Sequence, residues 1–268
     1  MKFGVNVWSF PRGTALDEAM RVAKRVGYQG FEPAITDEHV SMPRDEFSSW
    51  WRRVRELAES IGIEIPSVAT GLFWRVNPLT EVDRALEIVE LECLAASVVG
   101  ARVVLVVPGV ALPELSHGEC IARARSFLER ASSIAREYGV VMGVENVWNR
   151  FLAGPEDMAR LFEGLDTSVI KLYLDVGNTL PHSLPVHWID RFGLDAIAQI
   201  HVKDFNMAEL RFGIPLSGDV PWKQVAERLR SLGYRGYVVA EVPPYRGHPF
   251  KAIEDTMTSL RAIFGDPT

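Results

Sequence analysis

The chain has 268 residues, of which 47% are hydrophobic and 24% charged, and its formal net charge is −6. This composition is ordinary for a globular protein. The acidic balance argues against a nucleic-acid partner, because phosphate binding needs a clustered basic surface. No apolar run reaches the roughly 18 residues of a membrane-spanning helix, so we expect no membrane partner.

The cysteine content and the first residues of the chain bear on its cellular location. Cys93 and Cys120 are too few for a disulfide framework or a zinc knuckle, and we expect free thiols in a reducing cytoplasm. The first residues already have the pattern of a strand, so we expect no signal peptide. Together these observations predict a cytoplasmic protein.

Short apolar runs alternate with longer amphipathic segments along the chain. Several runs are nearly continuous in Val, Ile and Leu, as is typical of parallel strands that are buried on both faces. We predict eight strands: Phe3–Ser9, Gly30–Pro33, Glu64–Thr70, Val103–Val107, Val140–Glu145, Ile170–Asp175, Ala196–His201 and Tyr237–Val242.

Signals for helix starts and ends lie between these runs. Ser116 followed by Glu119 matches a capping box, and Pro155 suits the first turn of a helix. Gly27 and Gly233 each begin a GY-x-G sequence, which is typical of a helix C-cap that leads into a strand. The pattern therefore predicts a helix after each strand.

Eight strand-then-helix units are the content of a closed (β/α)8 barrel, the TIM barrel, which typically takes about 250 residues. The alternative is an open doubly wound α/β sheet. Such a sheet normally carries a glycine-rich phosphate loop after its first strand, whereas residues 8–13 here are WSFPRG. We therefore predict an α/β fold, a TIM barrel that forms one domain over residues 1–268, with its first strand paired to its last.

Four metal-capable side chains end four consecutive predicted strands: Glu145, Asp175, His201 and Glu241. In a TIM barrel these strand ends form the active-site rim, so the four side chains should converge. A single acid at a strand end is more often an acceptor for loop hydrogen bonds, but four in register are hard to explain that way. Because three converging carboxylates repel one another without a cation, the pattern predicts a site for one divalent metal.

The donor set of three carboxylates and one imidazole narrows the choice of metal. It favours Mn²⁺ and also suits Mg²⁺, Co²⁺ or Zn²⁺, whereas Ca²⁺ prefers a larger all-oxygen shell.

The sequence resembles the sugar phosphate isomerase/epimerase family of xylose isomerase-like TIM barrels, which includes ketose 3-epimerases and hexulose-6-phosphate isomerase-like enzymes. The similarity covers essentially the whole chain. It is strongest in ENVWNRF (145–151), LDVGN (174–178), IHVKDF (200–205), GDVPW (218–222) and AEVPPY (240–245).

The resemblance implies that Glu145, Asp175, His201 and Glu241 bind one divalent metal and that the two glutamates also carry the substrate proton. One departure concerns Asn178, since some ketose 3-epimerases of the family have histidine there and phosphopentulose epimerase relatives have asparagine. Both free and phosphorylated sugars therefore stay open. If the chain oligomerises, the resemblance implies a homodimer.

These roles imply a metal-dependent isomerase or epimerase that acts on a ketose or ketose phosphate. The metal polarises the carbonyl, one glutamate removes a carbon-bound proton, and the other returns a proton to the enediolate. Return to the same carbon epimerises the sugar and return to the neighbouring carbon isomerises it, and the sequence does not distinguish the two.

Other functions compete with this one. A dehydratase of a keto-polyol, of the inosose type, shares the enolisation step. A non-catalytic sugar-binding barrel would keep rim aromatics but would not need both glutamates. An apurinic-site endonuclease of the same superfamily needs three zinc ions and more rim histidines than this chain supplies.

Further rim residues are candidates for substrate binding. Lys203 has the same strand parity as His201, so it should point the same way and could neutralise a substrate oxygen or pair with a neighbouring acid. Aromatic residues after the first and third strands could pack on a sugar or simply on the rim, and arginine in a rim loop could meet a phosphate. The predicted substrate-binding residues are Asn6, Trp8, Trp74, Asn178, Lys203 and Arg211.

Overall fold

The computed structural model describes residues 1–267, so that Thr268, the last residue of the predicted domain, lies outside the described part. The strands are β1 (Lys2–Asn6), β2 (Gly30–Glu32), β3 (Ala34–Ile35), β4 (Ser67–Thr70), β5 (Val103–Val106), β6 (Val141–Glu145), β7 (Ile170–Asp175), β8 (Ile197–Val202), β9 (Asp204–Asn206), β10 (Arg211–Gly213) and β11 (Tyr237–Ala240).

Helices separate most of these strands. They are α1 (Leu16–Val26), α2 (Asp37–Val40), α3 (Arg44–Ile61), α4 (Val82–Val99), α5 (His117–Tyr138), α6 (Pro155–Phe162), α7 (Val176–Thr179), α8 (Pro185–Phe192), α9 (Trp222–Ser231) and α10 (Lys251–Phe264).

Nine strands form one parallel sheet in the order β2-β1-β11-β8-β7-β6-β5-β4-β3. β2 and β3 are two halves of one strand interrupted at Pro33, which has no N–H to donate. The first half pairs with β1 and the second with β4, and a bridge from Gly30 to Glu64 crosses the remaining seam. The sheet is therefore a barrel of eight strand positions, which confirms the predicted TIM barrel and the pairing of first and last strands.

Several strands are shorter than the sequence indicated, and β1 and β4 show the physical reason. β1 stops at Asn6 because its side-chain Oδ1 accepts a hydrogen bond from the Trp8 backbone N–H at 2.7 Å, which turns the chain into a short 3₁₀ helix. β4 begins at Ser67, directly after Pro66, which cannot donate to a ladder.

The predicted helix signals are present. At the start of α5 the Ser116 hydroxyl accepts from the Glu119 N–H, and the Glu119 carboxylate accepts from the Ser116 N–H at 2.8 Å. Gly27 ends α1 with φ of 108°, a left-handed conformation that favours glycine. Cys93 and Cys120 are buried free thiols in α4 and α5. Within residues 1–267, no helix has both the length and the apolar character needed to cross a membrane.

One inserted segment shapes the mouth of the barrel. Between β8 and α9, the chain forms an antiparallel hairpin of β9 and β10. The buried Asp204 carboxylate holds this segment, because it accepts from the Leu216 and Val220 backbone N–H groups and from Trp222 Nε1. These bonds fix the path by which Phe212, on β10, reaches the mouth.

Candidate metal centre

The barrel brings together the four predicted metal ligands. Glu145 and Asp175 end β6 and β7, His201 lies near the end of β8, and Glu241 directly follows β11. Asp175 and His201 are direct partners in the β7–β8 ladder. One ligand atom from each of the four residues lies within 4.8 Å of the others.

The donor atoms have the spacing of a single coordination shell. His201 Nδ1 lies 3.7 Å from Glu145 Oε1 and 3.8 Å from Glu241 Oε2, too far for hydrogen bonds. A shell with metal–ligand bonds of about 2.0–2.4 Å spans about 4.0–4.8 Å. The residues present therefore fit one divalent ion.

Two buried polar atoms of this cluster have no hydrogen-bond partner within the described chain: His201 Nδ1 and Asp175 Oδ2. Lys203 Nζ lies 2.8 Å from Asp175 Oδ2, as an ion pair without hydrogen-bond geometry, and it also pairs with Glu241. Because buried polar atoms are normally satisfied, the unpartnered His201 Nδ1 marks where a further ligand fits, whereas Asp175 Oδ2 has the Lys203 charge beside it.

The cluster concentrates negative charge in a buried place. The pKa of Glu145 is raised to about 7: burial is the largest cause, the nearby Glu241 and Asp175 carboxylates add to it, and His201 acts in the opposite direction. Burial alone would lower the pKa of Lys203, but the surrounding carboxylates outweigh it and the pKa is raised. A divalent cation would relieve the repulsion between these carboxylates.

A further glutamate lies beneath the cluster and was missed by the sequence reasoning. Glu32, at the end of β2, is fully buried, and its Oε2 lies 2.7 Å from His201 Nε2. An acid at a strand end was visible in the sequence, but its contact with a residue on the far side of the barrel was not.

A cavity of about 200 Å³ opens directly above Glu145 and Glu241. Four of the predicted substrate-binding residues line this cavity, the metal pocket: Trp8, Trp74, Asn178 and Lys203.

Two aromatic residues that were not predicted also line the metal pocket, Trp148 and Phe212. Their ring centroids lie 4.9 Å apart, and Lys203 Nζ lies 4.7 Å from the centroid of Phe212. Trp148 lies within ENVWNRF and could have been found there, whereas Phe212 is brought to the pocket by the path of the hairpin.

The structure places the other two predicted residues elsewhere. Asn6 is fully buried, and both of its polar side-chain atoms are engaged within the protein: Nδ2 donates to Glu32 and Oδ1 accepts from the Trp8 N–H. Arg211 is exposed, pairs with Glu209, and lines a separate cavity of about 630 Å³ together with Arg246. Neither lines the metal pocket.

Trp8 separates the metal pocket from a larger cavity of about 640 Å³ among the loops that follow β1, β3 and β4. The floor of this larger cavity is apolar, with Ile35 and Leu72, and its edge carries Arg12 and Arg75. Arg75 is ion-paired with Asp37. One tryptophan thus forms a wall of both spaces.

The chain belongs to the xylose isomerase-like TIM barrels, whose family model matches residues 20–263. This confirms the resemblance found in the sequence. None of the curated proteins matches the chain.

Among solved structures, a D-tagatose 3-epimerase-like protein superposes with a TM-score of 0.81 at 22% identity over 98% of both chains. D-psicose 3-epimerase from Clostridium cellulolyticum H10, solved with D-tagatose, gives 0.76 at 15% identity over 99% of this chain and 100% of that one. The IOLI protein with a bound zinc atom gives 0.80 at 18% identity over 100% of this chain and 99% of that one. At these identities the likeness concerns the fold.

Proposed function

We propose that this protein is a divalent-metal-dependent isomerase or epimerase of a ketose or ketose phosphate. The observation that carries the proposal is the convergence of two glutamates, one aspartate and one histidine on a single point at the floor of a small pocket. Sugar epimerases among the structures of the same fold support the reaction class.

In this proposal Glu145, Asp175, His201 and Glu241 hold one metal ion, with Mn²⁺ the first choice and Mg²⁺, Co²⁺ or Zn²⁺ as alternatives. The zinc atom in the IOLI structure supports a metal in this fold. When bound, the metal polarises a substrate carbonyl and stabilises the negative charge that develops beside it.

The two glutamates carry the proton. Both line the metal pocket, with side chains 8% and 18% exposed for Glu145 and Glu241. One removes a carbon-bound proton next to the carbonyl, and the other returns a proton to the enediolate.

The remaining pocket residues bind and orient the sugar. Lys203 and Asn178 offer polar atoms to hydroxyl oxygens, while Trp8, Trp74 and Trp148 offer flat apolar faces. At about 200 Å³ the pocket is smaller than the roughly 300–1,000 Å³ of drug-sized sites, so it suits a single sugar.

The proposal also covers domain organisation, cellular location and oligomeric state. We propose one domain over residues 1–268, a location in the cytoplasm, and assembly as a homodimer. All strand positions share one buried core, which supports the single domain. Light scattering at micromolar concentration tests the homodimer, and a monomer mass would contradict it.

The test is proton exchange with solvent. Metal-stripped protein is reloaded with Mn²⁺ and incubated in D₂O with a panel of ketoses and ketose phosphates, which are then analysed by NMR and mass spectrometry. We expect deuterium at one carbon next to the carbonyl, with formation of an epimer or an isomer. Loss of water would instead indicate the dehydratase, and binding of a sugar without exchange would indicate the sugar-binding barrel.

A further inference from the structure

His201 uses its two ring nitrogens in opposite directions. Nδ1 faces the carboxylates of Glu145 and Glu241 at 3.7 and 3.8 Å. Nε2 points away from them, down into the barrel, and lies 2.7 Å from Glu32 Oε2. Both side chains are fully buried, so no solvent competes for this contact.

Glu32 is itself held from several strands. Its Oε1 accepts hydrogen bonds from Ser67 Oγ and from the Tyr173 hydroxyl, and its Oε2 accepts from Asn6 Nδ2. Gln199 in turn donates to Ser67 Oγ at 3.0 Å. These donors belong to β1, β4, β7 and β8, so the position of the carboxylate is fixed by the whole barrel.

Hydrogen-bond chemistry then decides the state of the imidazole. A neutral imidazole has one N–H and one lone pair, and an ionised carboxylate can only accept. The Tyr173 hydroxyl also lies near His201 Nε2, but its proton is already donated to Glu32, so it does not donate to Nε2. When Nδ1 gives its lone pair to a metal, the one N–H of the imidazole therefore lies on Nε2, where the Glu32 carboxylate accepts it.

We propose that Glu32 is a positioning residue that fixes the tautomer and the ring orientation of His201, so that Nδ1 is preset as a metal ligand. The inference rests on the proposed function, because it assumes that the cluster binds a metal. Outer partners of this kind typically change metal affinity by about 10–100-fold when they are lost.

The test uses Glu32→Gln, which keeps the shape of the side chain and removes its charge. Zn²⁺ affinity is measured by chelator competition for wild type and variant, after circular dichroism has shown that both are folded. We expect an affinity loss of about 10–100-fold. The matched control is Glu92→Gln, the same change at another fully buried glutamate, which is in α4 and is expected to leave the affinity unchanged.

A second measurement detects the tautomer itself. In Zn²⁺-loaded protein with ¹⁵N-labelled histidine, wild type should show a protonated Nε2 whose proton is strongly shifted downfield by the carboxylate. In Glu32→Gln that proton should move upfield, because a neutral amide is a weaker acceptor. A role of Glu32 in packing alone would leave this signal in place.

The outcomes are distinguishable. A folded Glu32→Gln protein with wild-type Zn²⁺ affinity would overturn the inference. If Glu32→Gln does not fold, Glu32→Asp keeps the charge but draws the carboxylate back from His201 Nε2, and unchanged affinity in that variant would overturn it as well. If wild type itself binds neither Zn²⁺ nor Mn²⁺, the proposed function fails.

Discussion

The two halves of the barrel rim differ in chemistry. β6, β7, β8 and β11 end at or next to the four residues of the metal cluster. The other strand positions present mainly aromatic and apolar side chains to the pocket, with Trp8 after β1 and Leu105 on β5. Their one buried acid, Glu32, supports His201 from below. In the proposed function, the first half holds the metal and moves the proton, and the second half shapes the space for the sugar.

The largest expected effect comes from removing a base in the metal-binding half. Glu241→Gln should lower the turnover rate by about 10²–10⁴-fold, because a positioned general base typically contributes that much. The rate is measured at saturating Mn²⁺, since an amide is also a poorer ligand. A metal-replete, folded variant with the wild-type rate would leave Glu241 a structural acid.

Asp175 is a proposed metal ligand without a role in proton transfer, so its removal should mainly weaken metal binding. Asp175→Ala takes away a fully buried carboxylate that faces the cluster. Metal affinity, measured by competition with a chelator, should fall by more than the roughly 10–100-fold expected for an outer partner. Unchanged affinity would remove Asp175 from the ligand set.

The charge density of this half should also make stability depend on metal and pH. Burial and neighbouring carboxylates raise the pKa of Glu145 to about 7, so its contribution to metal-free stability is full at acidic pH and is lost as the pH rises through about 7. Bound metal replaces that proton. At 100 times its Kd it should stabilise the protein by about 2.7 kcal/mol.

The melting temperature, recorded with metal and with chelator, checks this. The difference should be larger at pH 8 than at pH 5.5, where protons compete with the metal. Glu145→Gln serves as the control and should flatten the pH dependence. An equal effect of chelator at both pH values would contradict the expectation.

The smallest expected effect comes from a change in the half of the rim that presents mainly aromatic and apolar side chains. Trp8→Ala removes a ring that is 38% exposed and lines the metal pocket. Aromatic contacts of this kind contribute about 0.5–1.5 kcal/mol, so KM should rise about 2–12-fold. Metal affinity should not change, and a loss of metal would show that the two halves are not separable.

The sequence predicts correctly the location of those site residues that depend only on their position along a strand. Asp175 and His201 could be placed because each lies near the carboxyl end of its strand, and neighbouring strands of a barrel bring such ends together. Glu32 could not be connected to His201, because their contact crosses the barrel and depends on its closure. Asn6 was placed at the correct strand end, but its engagement with Trp8 and Glu32 depends on local turn geometry.

The inserted loop was the least predictable part of the site. Nothing in the sequence indicates that one carboxylate, Asp204, accepts hydrogen bonds from donors within residues 216–222. As a result Phe212 lines the metal pocket, whereas Arg211, which the sequence predicted as a substrate-binding residue, lines a separate cavity.

The same carboxylate has a practical consequence for following the reaction. Asp204 anchors the base of the hairpin, while Leu210 at its tip is 71% exposed. A cysteine introduced at Leu210 could carry an environment-sensitive fluorophore beside the mouth of the barrel, because both native thiols are buried and would label slowly. The fluorescence of the labelled hairpin would then report whether a ligand occupies the metal pocket, and no assay of a product would be needed.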